Sequence, residues 1–295
     1  MESLHFFELH LIKILQQIRT PVLDEIFKFI NLFDTGYFIF FLIPIVWMKN
    51  WKWGVRLLYI LFLNFYFNAF FKTIFHQPRP YDLDPSVEVV FVKGFGLPSG
   101  AAQSAMLYLG LLVIYWKNKK WAWILGLNIL FWMSLSRVYL GVHFFSDLLG
   151  GYVVGSLLLV VFYYLFPTME KYLKTAKNYQ ILLLSFAFSS VMLLTLYTSI
   201  VKAISIASLS VTIGLILSKK FKAFLLPPST FLEEFLRTTF VWFGIGGIAL
   251  LFAFRFEKMH GYSSFFAMVL LGIWLSFFAS FFWKKSFGKL KTFKH

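Results

Sequence analysis

Nine apolar runs, each close to the length needed to cross a bilayer, divide this chain of 295 residues. A transmembrane helix needs about 20 apolar residues, and helices or closed barrels alone satisfy the backbone inside a membrane. The composition agrees, because 59% of the residues are hydrophobic and only 14% are charged, which is too apolar for a soluble domain. The sequence therefore predicts an all-α, polytopic membrane helical bundle with spans near residues 30–48, 55–75, 99–116, 121–138, 144–166, 179–199, 203–218, 238–254 and 264–283.

The basic residues concentrate in clusters between these runs, and a nine-span arrangement puts every cluster on one side. The positive-inside rule makes that side cytoplasmic. The net charge of +15 then reflects orientation and not binding to nucleic acid. We expect an integral protein of a bacterial inner membrane, with residues 76–98, the connection from Arg137 to His143 and the turn at 255–263 facing the exterior. The clusters are Lys49/Lys52/Arg56, Lys117/Lys119/Lys120, Lys171/Lys174/Lys177, Lys219/Lys220/Lys222 and the tail lysines 284, 285, 289, 291 and 294.

Two further segments are predicted to lie in the membrane interface instead of crossing it. The first twenty residues mix acids, histidines and lysine into a helical apolar pattern, which is typical of an amphipathic interfacial helix. The stretch LPPSTFLEEFLRTT is more polar, and Thr230 and Glu233 have the spacing of a capping box. It is predicted to form a separate interfacial helix on the cytoplasmic side.

Three polar segments meet the exterior side of the predicted bundle. KTIFHQPRP carries Lys72 and Arg79, and GLPSG places Ser99 and Gly100 at a helix start, where backbone N–H groups and the helix dipole favour an anion. SRVYLGVHFFSD supplies Arg137, His143 and Asp147. Polar residues at the ends of spans in so apolar a chain indicate a functional site.

The spacing of the last segment has a chemical interpretation. Asp147 follows His143 by one helical turn, so its carboxylate can accept the imidazole N–H and leave the other ring nitrogen free to attack. Three cations, Lys72, Arg79 and Arg137, can neutralise the charge on a phosphoryl group. The sequence therefore predicts a phosphate site with a histidine nucleophile.

The three segments resemble the signature motifs of the type-2 phosphatidic acid phosphatase superfamily, over roughly residues 30–167. The resemblance implies a core of six membrane helices that hydrolyses lipid phosphates, or transfers phosphoryl groups between lipids, without a metal or another cofactor. It divides the chain into a catalytic membrane domain, residues 1–170, and a C-terminal extension, residues 171–295, whose role is not implied. By the same resemblance His143 becomes a phosphohistidine, Asp147 orients it, and the phosphate is held by Lys72, Arg79, Ser99, Gly100 and Arg137.

One position departs from the family pattern. The second motif ends in a histidine that protonates the leaving oxygen, and this chain has Ala101 there. Three interpretations stay open: a deliberate inactivating change, a diphosphate substrate whose leaving group needs little protonation, or replacement by another side chain. The candidates for that replacement are His76, Tyr139 and Gln103.

The predicted function is hydrolysis of a membrane lipid phosphate or diphosphate at the extracytoplasmic face. Candidate substrates are undecaprenyl diphosphate, phosphatidate, phosphatidylglycerophosphate and sphingoid-base phosphates. The alternatives are a lipid phosphotransferase and a non-catalytic lipid-phosphate binder or transporter. The other histidines, His5, His10, His260 and His295, lack the spacing of metal ligands and are predicted to be solvated or interfacial.

Overall fold

The computed structural model describes residues 2–32, 36–117, 119–255 and 262–287, and this part of the chain is helical, with no β-strand. The all-α prediction is confirmed. The tail lysines 289, 291 and 294, His260 and His295 lie outside the described residues. The helices are α1 Glu2–Gln16, α2 Pro21–Asn31, α3 Gly36–Lys49, α4 Trp51–Phe75, α5 Pro80–Leu83, α6 Gly100–Tyr115, α7 Lys120–Tyr139, α8 Phe145–Thr175, α9 Asn178–Thr195, α10 Ser199–Lys220, α11 Phe231–Arg255, α12 Tyr262–Ile273 and α13 Ala279–Phe287.

Within the described ranges, seven helical segments are long and apolar enough to cross a membrane. The other two predicted spans are present as shorter helices: α3 has 14 residues and α6 has 16. Of the run at 30–48, the structure describes the end of α2, at Asn31, and α3 from Gly36. A π-helical turn, Trp274–Phe278, joins α12 to α13, and together they form the last span.

The helices group into two compact units. The first contains Met1–Phe40 and Ile60–Phe166, and the second contains Phe41–Tyr59 and Pro167–His295. All three polar segments lie in the first unit. The division of labour between residues 1–170 and 171–295 stays a prediction.

In the first unit, α6 and α8 approach closely through two glycines one helical turn apart. A Cβ on Gly151 would lie 2.7 Å from the Ser99 carbonyl oxygen, and a Cβ on Gly155 would lie 2.7 Å from that of Gln103. Small residues four apart allow such contact between membrane helices, where dispersion between backbones provides much of the attraction. The packing places the start of α6 directly against the start of α8.

The core of the first unit lies beneath the N-terminal helices. Ile12, Tyr139 and Phe144 are completely buried, and Phe27 stacks on Tyr139 with ring centroids 4.1 Å apart. Helices α1 and α2 therefore cover the loops between the membrane helices, and they do so with part of their polar surface as well as their apolar surface.

The second unit contains a polar seam between its helices. Thr212 on α10 donates to Ser185 on α9 at 2.9 Å, and the hydroxyls of Tyr59 and Thr212 also lie 2.9 Å apart. Hydroxyl pairs of this kind form hydrogen bonds between neighbouring helices inside a membrane.

The interfacial helix predicted around LPPSTFLEEFLRTT is not separate. Helix α11 runs from Phe231 to Arg255 without a break. The capping pattern explains its start: the Glu233 amide donates to Thr230 Oγ1 at 3.1 Å, and Glu233 Oε2 accepts from the Ser229 amide at 2.9 Å. The polar first turns simply continue into the apolar span.

Candidate active site

The predicted site residues come from one end of the helices in the first unit. Lys72 lies in the last turn of α4, and Arg79 immediately precedes the short helix α5. Ser99 is the N-cap of α6, and Arg137 lies in the last turn of α7. His143 follows that turn, so the fold gathers distant segments at one place.

His143 and Asp147 form the predicted hydrogen bond. The His143 Nδ1 and Asp147 Oδ2 atoms lie 3.1 Å apart, and the side chains are 3% and 0% exposed. The same carboxylate oxygen accepts the Phe144 amide at 3.0 Å, which fixes it at the start of α8. Arg79 Nη1 lies 3.4 Å from Nε2 and can only donate, so in the neutral ring Nε2 is the acceptor and Nδ1 carries the proton.

The second ring nitrogen of His143 faces a cation. Arg79 Nη1 lies 3.4 Å from His143 Nε2, and the same atom donates to the Val142 carbonyl at 2.8 Å. Arg79 Nε donates to the Gly94 carbonyl at 2.6 Å. Backbone carbonyls thus hold the guanidinium, and its positive charge lies beside His143 Nε2. This is the ring nitrogen that does not contact Asp147.

The other two predicted cations also act on His143. Burial holds the pKa of the His143 imidazole well below its usual value, and the positive charges of Lys72, Arg137 and Arg79 lower it further, although the Gly96 backbone opposes this. A neutral imidazole retains the lone pair that a nucleophile needs.

Lys72 and Arg137 are each directed by neighbouring groups. Lys72 Nζ donates to the Phe95 carbonyl at 2.5 Å and to the Gly96 carbonyl at 3.3 Å. Arg137 Nη1 donates to the Asn31 side chain at the end of α2. Lys72 is thus positioned by a segment that follows it in the chain, and Arg137 is positioned by a helix that precedes it.

The predicted anion-binding helix start is joined to the histidine turn. The Ser99 amide donates to the Asp147 carbonyl at 2.9 Å, and Ser99 Oγ accepts the Ala102 amide at 3.4 Å. The Ser99 amide is therefore occupied within the protein. The Gly100 amide belongs to the first helical residue, whose N–H has no partner within the helix.

Ala101 is buried at this helix start, 1% exposed. Of the candidate replacements, Tyr139 donates its hydroxyl to Asp24 at 2.7 Å. Gln103 donates to the Asn64 carbonyl at 2.8 Å and accepts from Asn68 at 3.0 Å. Both side chains are thus held by other partners, whereas His76 is exposed and its ring lies 4.5 Å from that of Phe95.

The structure adds residues from α1 that sequence reasoning missed. His5 is only 7% exposed and stacks on Phe144 with ring centroids 4.6 Å apart, so it is not solvated. Glu8 is 5% exposed and contacts Ser146, next to Asp147. The reason is that α1 turns this polar strip inward onto the loops. The signal was the presence of both side chains on one helical face.

Within the part of the chain that the structure describes, no group of three or more His, Asp or Glu side chains is arranged to hold a metal ion.

Comparisons with known proteins identify the family of this chain. The family model of the PAP2 superfamily matches residues 53–171. The chain is 30% identical over 155 residues to phosphatidylglycerophosphatase B of Bacillus subtilis, across 48% of this chain and 74% of the relative. It is 25% identical over 157 residues to the undecaprenyl-diphosphatase of Sulfolobus acidocaldarius, across 51% of this chain and 74% of the relative.

A solved structure supports the same conclusion. The crystal structure of a transmembrane PAP2-type phosphatidylglycerolphosphate phosphatase from Bacillus subtilis superposes with a TM-score of 0.50 at 26% identity, covering 60% of this chain and 90% of that chain. The fold is that of an integral-membrane protein whose relatives are phosphatases that act on lipids. The chain belongs to the PAP2 superfamily, as the three motifs predict.

Proposed function

We propose that this protein hydrolyses a membrane lipid phosphate or diphosphate through a phosphohistidine formed on His143. The observation that carries the proposal is the arrangement of the His143 ring, with Nδ1 3.1 Å from Asp147 Oδ2 and Nε2 3.4 Å from Arg79 Nη1. One ring nitrogen is oriented by a carboxylate, and the other is directed at a cation that would bind the phosphoryl oxygens.

In the first step the Nε2 lone pair attacks phosphorus, and the bond from phosphorus to the leaving oxygen breaks with its electrons on that oxygen. Asp147 stabilises the positive charge that develops on the imidazole. In the second step water attacks the phosphorus of the phosphohistidine, and the P–N bond breaks with its electrons on Nε2. Orthophosphate leaves with the oxygen of that water, and neutral His143 is regenerated. The step consumes one water and needs no oxidant or reductant.

Positive charge supplies the stabilisation of the transition state in this proposal. Lys72, Arg79 and Arg137 would neutralise the equatorial oxygens of the transferring phosphoryl group, and the Gly100 amide at the start of α6 would donate to one of them. The reaction is proposed to be independent of metals, because these side chains take the part that a divalent cation has in many phosphoryl transfers.

The substrate class follows from the leaving group. An alkoxide leaving a phosphate monoester needs a proton, whereas a phosphate leaving a diphosphate departs more readily as an anion. With Ala101 at the general-acid position, a diphosphate lipid is the substrate that this sequence is best suited to hydrolyse. Similarity to an undecaprenyl-diphosphatase supports this proposal. Because the chain is also similar to a phosphatidylglycerophosphatase, phosphate monoesters are tested as well.

Release of orthophosphate from labelled lipids tests the function and its principal alternative. The purified chain, in detergent or nanodiscs, is given phosphatidylglycerophosphate, phosphatidate, a sphingoid-base phosphate and undecaprenyl diphosphate. We expect free orthophosphate, with the fastest release from the diphosphate and no loss of activity in EDTA. Label that moves to an acceptor lipid would instead establish a phosphotransferase, and binding without release would favour a non-catalytic binder.

The site is proposed to face the exterior of a bacterial inner membrane. The support is that lysines group at the helix ends that do not carry site residues. An example is the connection between α6 and α7, from Lys117 to Lys120.

Because the chain has no cysteine, single-cysteine variants test the orientation directly. Lys93→Cys, in the exposed loop before α6, is expected to react with a membrane-impermeant maleimide in intact cells. Lys219→Cys, at the exposed end of α10, is expected to react only after lysis. The reverse pattern would place the site in the cytoplasm.

A further inference from the structure

Glu8 is an acidic residue buried beside the candidate active site, and the mechanism above does not use it. It lies on α1 and is 5% exposed. Its Oε1 atom accepts the Ser146 amide at 2.8 Å, and its Oε2 atom accepts the Ser146 hydroxyl at 2.9 Å. Both carboxylate oxygens therefore engage one residue, 138 positions away in the chain.

Ser146 is the second residue of α8 and immediately precedes Asp147. The amides in the first turn of a helix have no partner within the helix, and a carboxylate there is favoured by the helix dipole. Glu8 accepts the hydrogen bond of the Ser146 amide. Asp147 Oδ2 is then committed to the Phe144 amide at 3.0 Å and to His143 Nδ1 at 3.1 Å.

This division of partners matters because Asp147 Oδ1 is buried without a hydrogen-bond partner among the described residues, so it could accept from Ser146 if Glu8 did not. Without Glu8, the amide and hydroxyl of Ser146 would be two partly buried donors without that acceptor. Such donors carry a substantial desolvation cost and would reorganise the turn around the remaining carboxylate, Asp147. The orientation of the His143 ring depends on that carboxylate.

A second contact from α1 holds the same turn. His5, three residues before Glu8, stacks on Phe144 with an interplanar angle of 8°. Its Nε2 atom lies 2.7 Å from the side-chain nitrogen Nε2 of Gln77, which is two residues before Arg79. The inward face of α1 thus contacts both the histidine turn and the segment that carries a predicted phosphate-binding arginine.

We propose that Glu8 is a positioning residue, which orders the first turn of α8 so that Asp147 and His143 keep the geometry needed for nucleophilic attack. The inference rests on the proposed function. Glu8 would act through Ser146 and Asp147 and would not touch the substrate.

The test compares Glu8→Gln with Glu25→Gln, which removes the charge of an exposed acid on α2. Glu8→Gln keeps the size of the side chain and loses a charge-assisted pair of hydrogen bonds. We expect kcat on the best lipid substrate to fall about 10- to 100-fold, because small misplacements of a reacting group have effects of this size. KM should change less than about two-fold, because the three cations that would bind the phosphate are untouched.

A second variant guards against a merely structural effect. Ser146→Ala removes the hydroxyl partner and keeps the backbone amide, and it should lower kcat by a smaller factor. The double variant should lose less than the product of the two single losses, since both changes break one contact. Thermal unfolding of each variant is measured in parallel, and Glu8→Asp should recover part of kcat.

Hydrogen–deuterium exchange provides a readout that does not depend on turnover. Amides of residues 144–149 should exchange faster in Glu8→Gln than in Glu25→Gln, because the first turn of α8 would open more often. If the parent chain releases no phosphate, the proposed function fails, and this measurement alone decides whether Glu8 orders the turn.

The inference is overturned by either of two results. One is an active parent whose kcat is unchanged in Glu8→Gln, or falls only in proportion to the folded protein recovered. The other is unchanged exchange over residues 144–149.

Discussion

Replacing His143 with alanine is expected to abolish release of orthophosphate, with a loss of at least about 10³-fold, because removal of a covalent nucleophile leaves only binding and electrostatic stabilisation. The expectation follows from the buried ring held by Asp147 on one nitrogen and facing Arg79 on the other. Alanine removes the imidazole, and with it the attacking nitrogen and the contact to Asp147, but leaves the three cations in place. Turnover of the best lipid substrate is measured beside the parent chain.

A trapping experiment separates the nucleophile from a residue that merely binds. The parent chain, quenched during turnover of a substrate labelled in the transferred phosphate, should carry label that is stable to base and released by acid. His143→Ala should carry none. His10→Ala, an exposed histidine on the same N-terminal helix as His5, should keep full turnover and labelling. Label on the His143→Ala protein would show that another side chain is the nucleophile.

Restoring a general acid should produce the second large effect. The Ala101→His change is expected to raise turnover of phosphate monoesters by about 10²–10⁴-fold, the usual contribution of a positioned proton donor to a poor leaving group. Undecaprenyl diphosphate should gain much less, because its leaving phosphate already accepts negative charge well. The measurement is orthophosphate release from the lipid panel by the two chains side by side.

The matched control is Ala101→Phe, which fills the buried position with a ring that cannot donate a proton. A gain shared by the histidine and phenylalanine variants would be an effect of packing and would contradict the acid interpretation. Rapid monoester turnover by the parent, unchanged in Ala101→His, would mean that another group protonates the leaving oxygen. Of the candidates, His76 is the exposed one. No release by either chain would favour a binder.

The parts of the site that are local in sequence could be predicted. His143 and Asp147 are one helical turn apart, so their contact follows from helix geometry alone. Ser99 caps α6 because a serine before an apolar helical run is a typical start signal. The positions of most membrane helices follow from the length of the apolar runs, which a bilayer imposes directly.

The parts that failed depend on distant contacts or on small differences in stability. The pairing of Glu8 with Ser146 spans 138 positions, and no periodicity in α1 identifies its partner. The stretch LPPSTFLEEFLRTT is predicted as a separate interfacial helix from its polarity, whereas α11 continues from this polar first turn into the span, because a capped helix start fits a span as well as a surface helix.

The backbone hydrogen bond from Ser99 to Asp147 has a mechanical consequence. It ties the cap of α6 to the first turn of α8 at 2.9 Å, and the same two helices are in contact at Gly151 and Gly155. A tilt of either helix would therefore carry the proposed anion cradle and the attacking nitrogen together. Whatever opening admits a lipid must come from elements outside this pair, so variants that loosen substrate entry should be sought away from α6 and α8.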